Sequence, residues 1–318
     1  MRALVTGIAG FAGGYLHRLL AGNDHTVFGT CLPQPANVIP GAKLLQCDIR
    51  NAEQVREAVR IAQPDRVYHL AALSMTSDST SMWRDIYETN FIGTVNLLEA
   101  VSKLAPEARV LIVGSGQCYG SASMNGNLTE RHPLLPANPY AVSKTAADLA
   151  SYQYHVSGGL RVIRARPFNH TGPGQRPEFV CSDFARQIAA IELGLSPPLL
   201  EVGNLKPKRD FSDVRDVVRA YQMLLEKGRP GEAYNVCSGR ARSIQDIVAK
   251  LRSFCKKGFR VSVKPSRRRI ADALRLVGSN YKLCNATHWK PKFDFDSTLY
   301  ELFCYWKSEL QRAIPNAL

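Results

Sequence analysis

No uninterrupted apolar stretch in this chain approaches the roughly 20 residues a helix needs to cross a bilayer, which excludes an anchor of apolar helices. No basic leader with a long apolar segment precedes the opening RALVTG, so the cytosol is the expected compartment and no membrane partner is expected. Paired cysteines are also missing. The eight cysteines, at 31, 47, 118, 181, 237, 255, 284 and 304, form neither a CxxC pair nor a zinc-ligand spacing, and read as reduced, mostly buried thiols with no metal site. Low-complexity segments and internal repeats are absent, and 45% apolar with 21% charged residues excludes wholesale disorder. Acid is scarce: 27 carboxylates against 41 Lys and Arg leave a net charge of +14. Nucleic acid, a membrane surface and an anionic small molecule compete for that charge. With no base-reading module and no interleaved aromatics, nucleic acid drops out. The only dense basic run, Lys264 to Arg269, is short and contains Pro265, and reads either as a solvated loop or as cations for a nucleotide diphosphate.

At 318 residues the chain is long enough for a larger and a smaller part sharing an interface. The pattern predicts strands at Arg2 to Thr6, Thr26 to Thr30, Lys43 to Gln46, Arg66 to Leu70, Arg109 to Gly114 and Leu160 to Arg166. Between them it predicts helices at Phe11 to Leu20, Ala52 to Ile61, Trp83 to Lys103 and Tyr140 to Val156. Such alternation implies an α/β fold, a doubly wound parallel sheet of the Rossmann type, and strands without strict two-residue alternation fit helices on both faces. After Pro167 prolines and glycines cluster, marking a smaller part. The expected division is residues 1–166 for the dinucleotide half, with a return segment at about 208–236, and 167–318 mostly for substrate. Helices are expected at Val214 to Lys227 and Ser243 to Cys255.

Gly7, Gly10 and Gly13 stand three apart between the first strand and first helix. Lacking side chains, they let the backbone turn tightly and approach a pyrophosphate, whose charge the helix N-terminus favours. Further on, Tyr140 and Lys144 lie four apart on one helix face, where the ammonium can sit under the phenol. A phenol of ordinary pKa ~10 becomes a useful acid/base near neutrality if positive charge stabilises its phenolate. Ser115 closes the fifth strand at the sheet edge where such folds place ligands, and reads either as a donor to a sugar ketone or as a turn serine capping its own backbone.

With TGIAGFAG at the N-terminus, HLAA at 69–72 and the Ser115, Tyr140, Lys144 set, the chain resembles the extended short-chain dehydrogenase/reductases, the NAD-dependent epimerase/dehydratase family. The resemblance implies a Ser-Tyr-Lys triad and a nicotinamide cofactor held by Gly7, Gly10, Phe11, Ala12, Gly13, Thr30, Asp48, Ile49, Leu70, Ala71, Ala72, Asn90, Tyr140, Lys144, Pro167 and Phe168. Asp48 reads either as the adenine contact or as the N-cap of the helix after it. At the end of the second strand, Gly29-Thr30-Cys31-Leu32 has no carboxylate to repel a 2'-phosphate, so NADP(H) is favoured over NAD(H).

The segment RPFNHTGPGQ at 166–175, with Phe179-Val180, Asp183 to Ile188, Val202 to Leu205, RDFSDVRD at 209–216 and Tyr234 to Gly239, resembles GDP-mannose 4,6-dehydratases and, more closely, the reductases of their 4-keto product. That resemblance covers nearly the whole chain. It implies that Asn169, Val180, Arg209, Arg269 and Asp272 hold a GDP-sugar, with Ser74, Gln117, Arg186 and Asn204 also lining the site. A dehydratase of the family places a glutamate two residues after the triad hydroxyl, where this chain has Gln117. A carboxamide has no proton to exchange for an elimination. The expected reaction is therefore reduction of GDP-4-dehydro-6-deoxy-D-mannose to GDP-D-rhamnose by a homodimer joined through the helices of Trp83 to Lys103 and Ala141 to Val156. The rivals are a 4-epimerase and a 4-keto reductase of other stereochemistry or a heptose substrate. A cofactor-sensing regulator without catalysis would be expected to have lost the tyrosine or lysine, which are both here.

Overall fold

The computed structural model describes residues 1–23, 25–32, 39–74, 82–120, 126–264 and 273–313. Its main sheet takes β1 (Arg2–Thr6), β2 (Thr26–Cys31), β3 (Lys43–Gln46), β4 (Arg66–His69), β5 (Arg109–Val113), β6 (Arg161–Pro167) and β10 (Ala233–Val236). They lie in the order β3-β2-β1-β4-β5-β6-β10, every pair parallel. Successive side chains of a strand point to opposite faces, so each strand feeds two cores. Ala3, Val5, Tyr68, Leu111 and Ile163 go to one, under α1 (Phe11–Ala21) and α7 (Val214–Lys227). Leu4, Val67, Val110, Ile112 and Val162 go to the other, under α2 (Ala52–Ala62) and α4 (Gly93–Leu104). Both faces are dry, which is why the strand sequences read as apolar runs.

The helix expected over Trp83 to Lys103 has a finer structure. It runs as α3 (Trp83–Tyr87), a π-helical turn (Glu88–Ile92) and α4 without a break. α5 (Pro139–Gly158) begins where Asn138 accepts from the Ala141 amide at 2.8 Å and Pro139 supplies a first-turn residue that needs no backbone donor. The left-handed Gly159 ends it.

The smaller part is built from β7 (Asn169–Thr171), α6 (Val180–Leu193), β8 (Leu199–Val202), β9 (Lys208–Asp213), β11 (Ala241–Ser243), α8 (Ile244–Arg252), β12 (Arg260–Val263), β13 (Arg275–Leu276), α9 (Tyr281–Thr287) and α10 (Phe295–Ala313). β9 pairs with β7, β11 and β13, so residues 208–213 of the expected return segment lie in the smaller sheet, and the chain rejoins the main sheet with α7 and β10. α9 also goes back: Leu283 and the neighbouring Trp289 are buried in the core under α1 and α7, and Trp289 Nε1 donates to the Asp216 carbonyl at 3.0 Å. α6, α8 and α10 enclose a third core with Phe184, Phe211 and Phe295. The smaller part is tied to the main sheet near the glycine turn, where Tyr15 donates to the Pro173 carbonyl, and near the end of β4, where Arg176 donates to Ser74.

Candidate active site

The turn after β1 is shaped by its glycines. Gly7 has φ +68°, and a Cβ on it would come within 2.8 Å of the Ala71 backbone, while one on Gly13 would meet the Gly7 carbonyl at 2.4 Å. The first bond of α1 runs from Gly14 to Gly10 at 3.0 Å, which leaves the Phe11, Ala12 and Gly13 amides at the helix end without an intrahelical acceptor. No acidic residue sits in that first turn and no side chain caps it. Such a cradle fits a dinucleotide pyrophosphate. The Phe11 ring itself stacks on His170 at 6.2 Å, and Tyr15 donates to the Pro173 carbonyl at 2.8 Å, so α1 is also tied to the smaller part.

Thr30 ends buried beside this turn, its carbonyl accepting from Ile8 at 3.3 Å. Asp48 does not cap the second helix: Asn51 does, accepting from the Glu53 and Gln54 amides. The Asp48 carboxylate instead holds Arg50 at 2.6 Å, and that bond pulls its pKa below the ordinary value. Ile49 is buried under α4, where a Cβ on Gly93 would strike it at 2.6 Å.

From the strand before the glycine turn a chain of hydrogen bonds runs to α5. The Ala71 amide donates to Thr6 Oγ1 at 3.1 Å, and Thr6 Oγ1 lies 2.7 Å from His69 Nδ1. His69 Nε2 lies 2.9 Å from Thr94 Oγ1, which itself donates to the Asn90 carbonyl at 2.6 Å. A hydroxyl has one proton, so Thr94 accepts from His69, and the imidazole carries its proton on Nε2. Burial drives the imidazole down to about 3, keeping it neutral. Asn90, in the π turn, accepts from Leu73 N at 2.7 Å and donates to Leu73 O at 3.0 Å and to Ser143 Oγ at 3.0 Å. Ser143 donates to the Tyr140 carbonyl at 2.8 Å. Asn90, expected beside the cofactor, is thus fully engaged in joining the segment after β4 to α5. His69, Thr94 and Ser143 were not singled out in the sequence, since nothing in the spacing of HLAA distinguishes a ligand contact from a strut.

Ser115 leaves β5 in extended conformation and its hydroxyl accepts from the Gln117 amide at 3.1 Å. The turn-capping reading of Ser115 is thus met, and the same hydroxyl reaches the Tyr140 phenol, whose pKa it pulls down. Burial pushes the Tyr140 phenol up to about 12, against the pull of Ser115. The Lys144 ammonium is buried, donates to the Val113 carbonyl at 2.7 Å, and is pulled down to about 8 by desolvation. The expected lowering of the phenol by Lys144 does not enter: desolvation dominates, only Ser115 pulls the other way, and the phenol is left neutral, the form that donates a proton.

Gln117 sits on a 3-10 turn (Gly116–Tyr119) and its Oε1 accepts from Asn138 Nδ2 at 3.4 Å. Asn138, missed in the sequence although Asn-Pro ahead of a helix is a recognisable start signal, thus fixes both the helix of Tyr140 and the carboxamide facing it. Tyr119 anchors the turn, donating to Asn235 at 2.7 Å and accepting from Arg166 at 3.0 Å. Behind it Phe168 is wedged between Gly116 and Gly278, where a Cβ on either would come within 2.9 Å of the ring. Its amide donates to Val236 and its carbonyl accepts from His170. Phe168 and Pro167, expected as cofactor contacts, are both buried and back the Ser115 turn.

In the smaller part Asn169 starts β7 opposite Phe211, and Val180 starts α6. Arg209 lies buried on β9 with Nη1 donating to the Lys208 carbonyl at 2.9 Å. Behind it burial raises the Asp210 carboxyl to about 6, although Ser238 and Gly239 donate to it. Arg186 lies along α6, 3.9 Å from Asp183. The Asn204 carboxamide is turned onto its own backbone, accepting from Lys206 at 3.1 Å, and is exposed. Ser74 meets Arg176, which donates to its hydroxyl at 3.0 Å and was not anticipated. Leu70 and Ala72 follow β4 and are half-buried. Arg269 and Asp272 lie outside the described residues, as does part of the basic run. Among the described residues no group of His, Cys, Asp or Glu could hold a metal ion, all eight cysteines are free thiols, and no helix is long and apolar enough to cross a membrane.

A family model described as GDP-mannose 4,6 dehydratase matches residues 4–302. The chain is 35% identical over 312 residues to a GDP-6-deoxy-D-mannose reductase of Pseudomonas aeruginosa, covering 98% of each protein. It superposes on the structure of RMD from Pseudomonas aeruginosa complexed with NADPH with a TM-score of 0.84, at 32% identity and covering 97% of this chain and 98% of that one. For the UDP-glucose 4-epimerase of Thermus thermophilus in complex with NAD the TM-score is 0.86, at 28% identity over 96% and 99%. The chain belongs to the GDP-mannose 4,6-dehydratase family, within the extended short-chain dehydrogenase/reductases.

Proposed function

We propose that this protein reduces the C4 ketone of GDP-4-dehydro-6-deoxy-D-mannose to give GDP-D-rhamnose, with NADP(H) preferred and NAD(H) accepted. The observation that carries the reading is Gln117. It occupies the position beside the triad where elimination requires a carboxyl, and a carboxamide does not exchange protons in that range. The similarity to a GDP-6-deoxy-D-mannose reductase over 98% of both chains supports the same choice.

The amides of Phe11, Ala12 and Gly13 would hold the cofactor's pyrophosphate, and Lys144 its ribose. When bound, the nicotinamide supplies the hydride that C4 receives. Ser115 donates a hydrogen bond to the C4 oxygen and so polarises the ketone. Tyr140 Oη then delivers its proton to that oxygen as it gains charge. Its high pKa suits this direction: the phenol is protonated at neutral pH. The Ser115 contact, which pulls the phenol's pKa down, stabilises the phenolate left behind. Recharging from water restores the phenol.

Purified protein given that ketone should consume NADPH in proportion to product, and no consumption with any GDP-linked 4-ketose would reject the reading. A 4-epimerase is the second reading, supported by the similarity to the UDP-glucose 4-epimerase. It would retain NAD through purification and show no net consumption. The assembly we propose is a homodimer, supported by exposed Ile92, Leu149, Tyr152 and Val156 on the π turn and α5, and light scattering decides it.

A further inference from the structure

Two arginines of β6 converge on one carboxylate of α5. Arg164 and Arg166, two residues apart, project from the same face of the strand. Arg164 Nη1 donates to Asp148 Oδ1 at 2.7 Å, while Arg166 takes both oxygens, Nε on Oδ2 and Nη2 on Oδ1, each at 2.9 Å. The Arg166 and Asp148 side chains are 5% and 1% exposed. A buried ion pair returns little net stability once its desolvation is counted, but a planar fork seated on a carboxylate fixes geometry. What is fixed here is α5, where Tyr140, Lys144 and Asp148 follow one another at four-residue steps along one face.

The remaining donors tell the two arginines apart. Arg164 Nη2 goes to the Gly231 carbonyl at 2.8 Å. Arg166 Nη1 goes to Tyr119 Oη at 3.0 Å, with the Glu130 carbonyl at 3.5 Å, and Tyr119 ends the 3-10 turn that Ser115 caps. Tyr119 Oη in turn donates to Asn235 Oδ1 at 2.7 Å, which pins the turn to β10. Gly114, just before Ser115, lies over the ion pair: a Cβ there would stand 3.7 Å from Asp148 Oδ2 and 3.8 Å from Arg166 Cγ. One guanidinium thus ties the helix that carries the proton donor to the turn that carries the hydroxyl reaching it. The contact between Ser115 and Tyr140 spans those two elements, so its length follows from how they are seated against each other.

We propose that Arg166 is a positioning residue for the proton transfer, holding Tyr140 against Ser115 through Asp148 on one side and Tyr119 on the other. The proposal rests on the triad chemistry of the reading above and adds to it a residue that acts through others.

The test compares steady-state kinetics and calorimetric NADPH titration in wild type, Arg166→Lys, Tyr119→Phe and Arg164→Lys. Lysine keeps the charge and loses the fork, and phenylalanine keeps the ring and loses the hydroxyl that Arg166 meets. With the 4-keto GDP-sugar, kcat should fall about ten- to hundredfold in Arg166→Lys and in Tyr119→Phe, the span of a misplacement of about an ångström. The double variant should fall no further than the slower single one, since both changes cut the same tie. NADPH affinity should stay within about twofold throughout. Arg164→Lys disturbs the other arm on the same carboxylate and should keep kcat within about twofold. A pair that serves stability alone would give a different pattern, with kcat following the loss of melting temperature in both lysine variants alike. That pattern, or unchanged kcat in Arg166→Lys, overturns the proposal. Should Arg166→Lys fail to fold, unchanged kcat in Tyr119→Phe overturns it instead. If wild-type protein leaves the ketone untouched but epimerises UDP-glucose, the reductase reading alone falls and the same comparison is made on that reaction. If it turns over neither, both readings fall together.

Discussion

The hydrogen-bonded run that seats α5 and the small sheet around β9 are held in different ways. On the dinucleotide side, Thr6, His69, Thr94, Asn90 and Ser143 form one continuous run of hydrogen bonds, and none of their polar atoms is left over. In the smaller part Ser212 Oγ, Arg186 Nε and Arg242 Nη1 are buried without a partner among the described residues. Buried donors and acceptors are expensive to leave unmet. The run is complete without any ligand, which holds α5 firmly, whereas those atoms, like Tyr68 Oη and Arg109 Nε of the main sheet, are left unmet among the described residues.

The contrast is broken most forcefully at the phenol. Tyr140→Phe should lower turnover about 10²- to 10⁴-fold, the usual worth of a positioned acid, while cofactor affinity measured by fluorescence titration stays within a few-fold. Retained turnover would remove Tyr140 from the chemistry.

A smaller effect is expected at His69, whose ring is neutral and bonded on both sides. His69→Ala strands Thr6 and Thr94 and should cost about 1–3 kcal/mol in denaturant unfolding. The pH profile separates this from simple cavity formation. In the folded protein the imidazole protonates near 3, in the unfolded chain near the ordinary value of ~6.5. Between those values only the unfolded chain binds the proton, so wild-type stability falls with acidification by up to about 1.4 kcal/mol per pH unit for this group. Above ~6.5 the group contributes no slope. The alanine variant should lose that slope, and an unchanged acid limb would refute the neutral, buried assignment.

Smallest is a matched pair of serines. Ser143→Ala removes a fully bonded hydroxyl and should destabilise by about 1 kcal/mol, whereas Ser212→Ala removes one without a partner and should be close to neutral. Equal effects in thermal melts would erase the distinction between the run and the small sheet.

Most of the dinucleotide half is legible in the sequence because its elements obey short-range rules. The spacing of Gly7, Gly10 and Gly13 follows from steric contacts within a few residues, and the start of α5 from Asn138-Pro139. Ser115, Tyr140 and Lys144 were found together because helix periodicity and a strand end place them without knowledge of anything distant. The substrate half escaped that logic. β9 has three partners, all of them distant in sequence, and no local pattern announces such pairing. Asp48, read as a cap or an adenine contact, is claimed by Arg50 two residues on, an ion pair that competes with either role. Phe168 looked like part of a binding segment, but its neighbours Gly116 and Gly278 come from distant stretches of the chain.

The π turn at Glu88–Ile92 amounts to one residue inserted into an otherwise regular rod. Shortening the chain there by a single residue would restore α geometry and swing α3 about 100° around the axis relative to α4. The Asn90 carboxamide would then leave Leu73 and Ser143, and the Trp83 end of the rod would present a different side to its surroundings. A single-residue deletion in that turn would therefore act at once on the seat of the proton donor and on the outer surface of the molecule, two places that no point substitution reaches together.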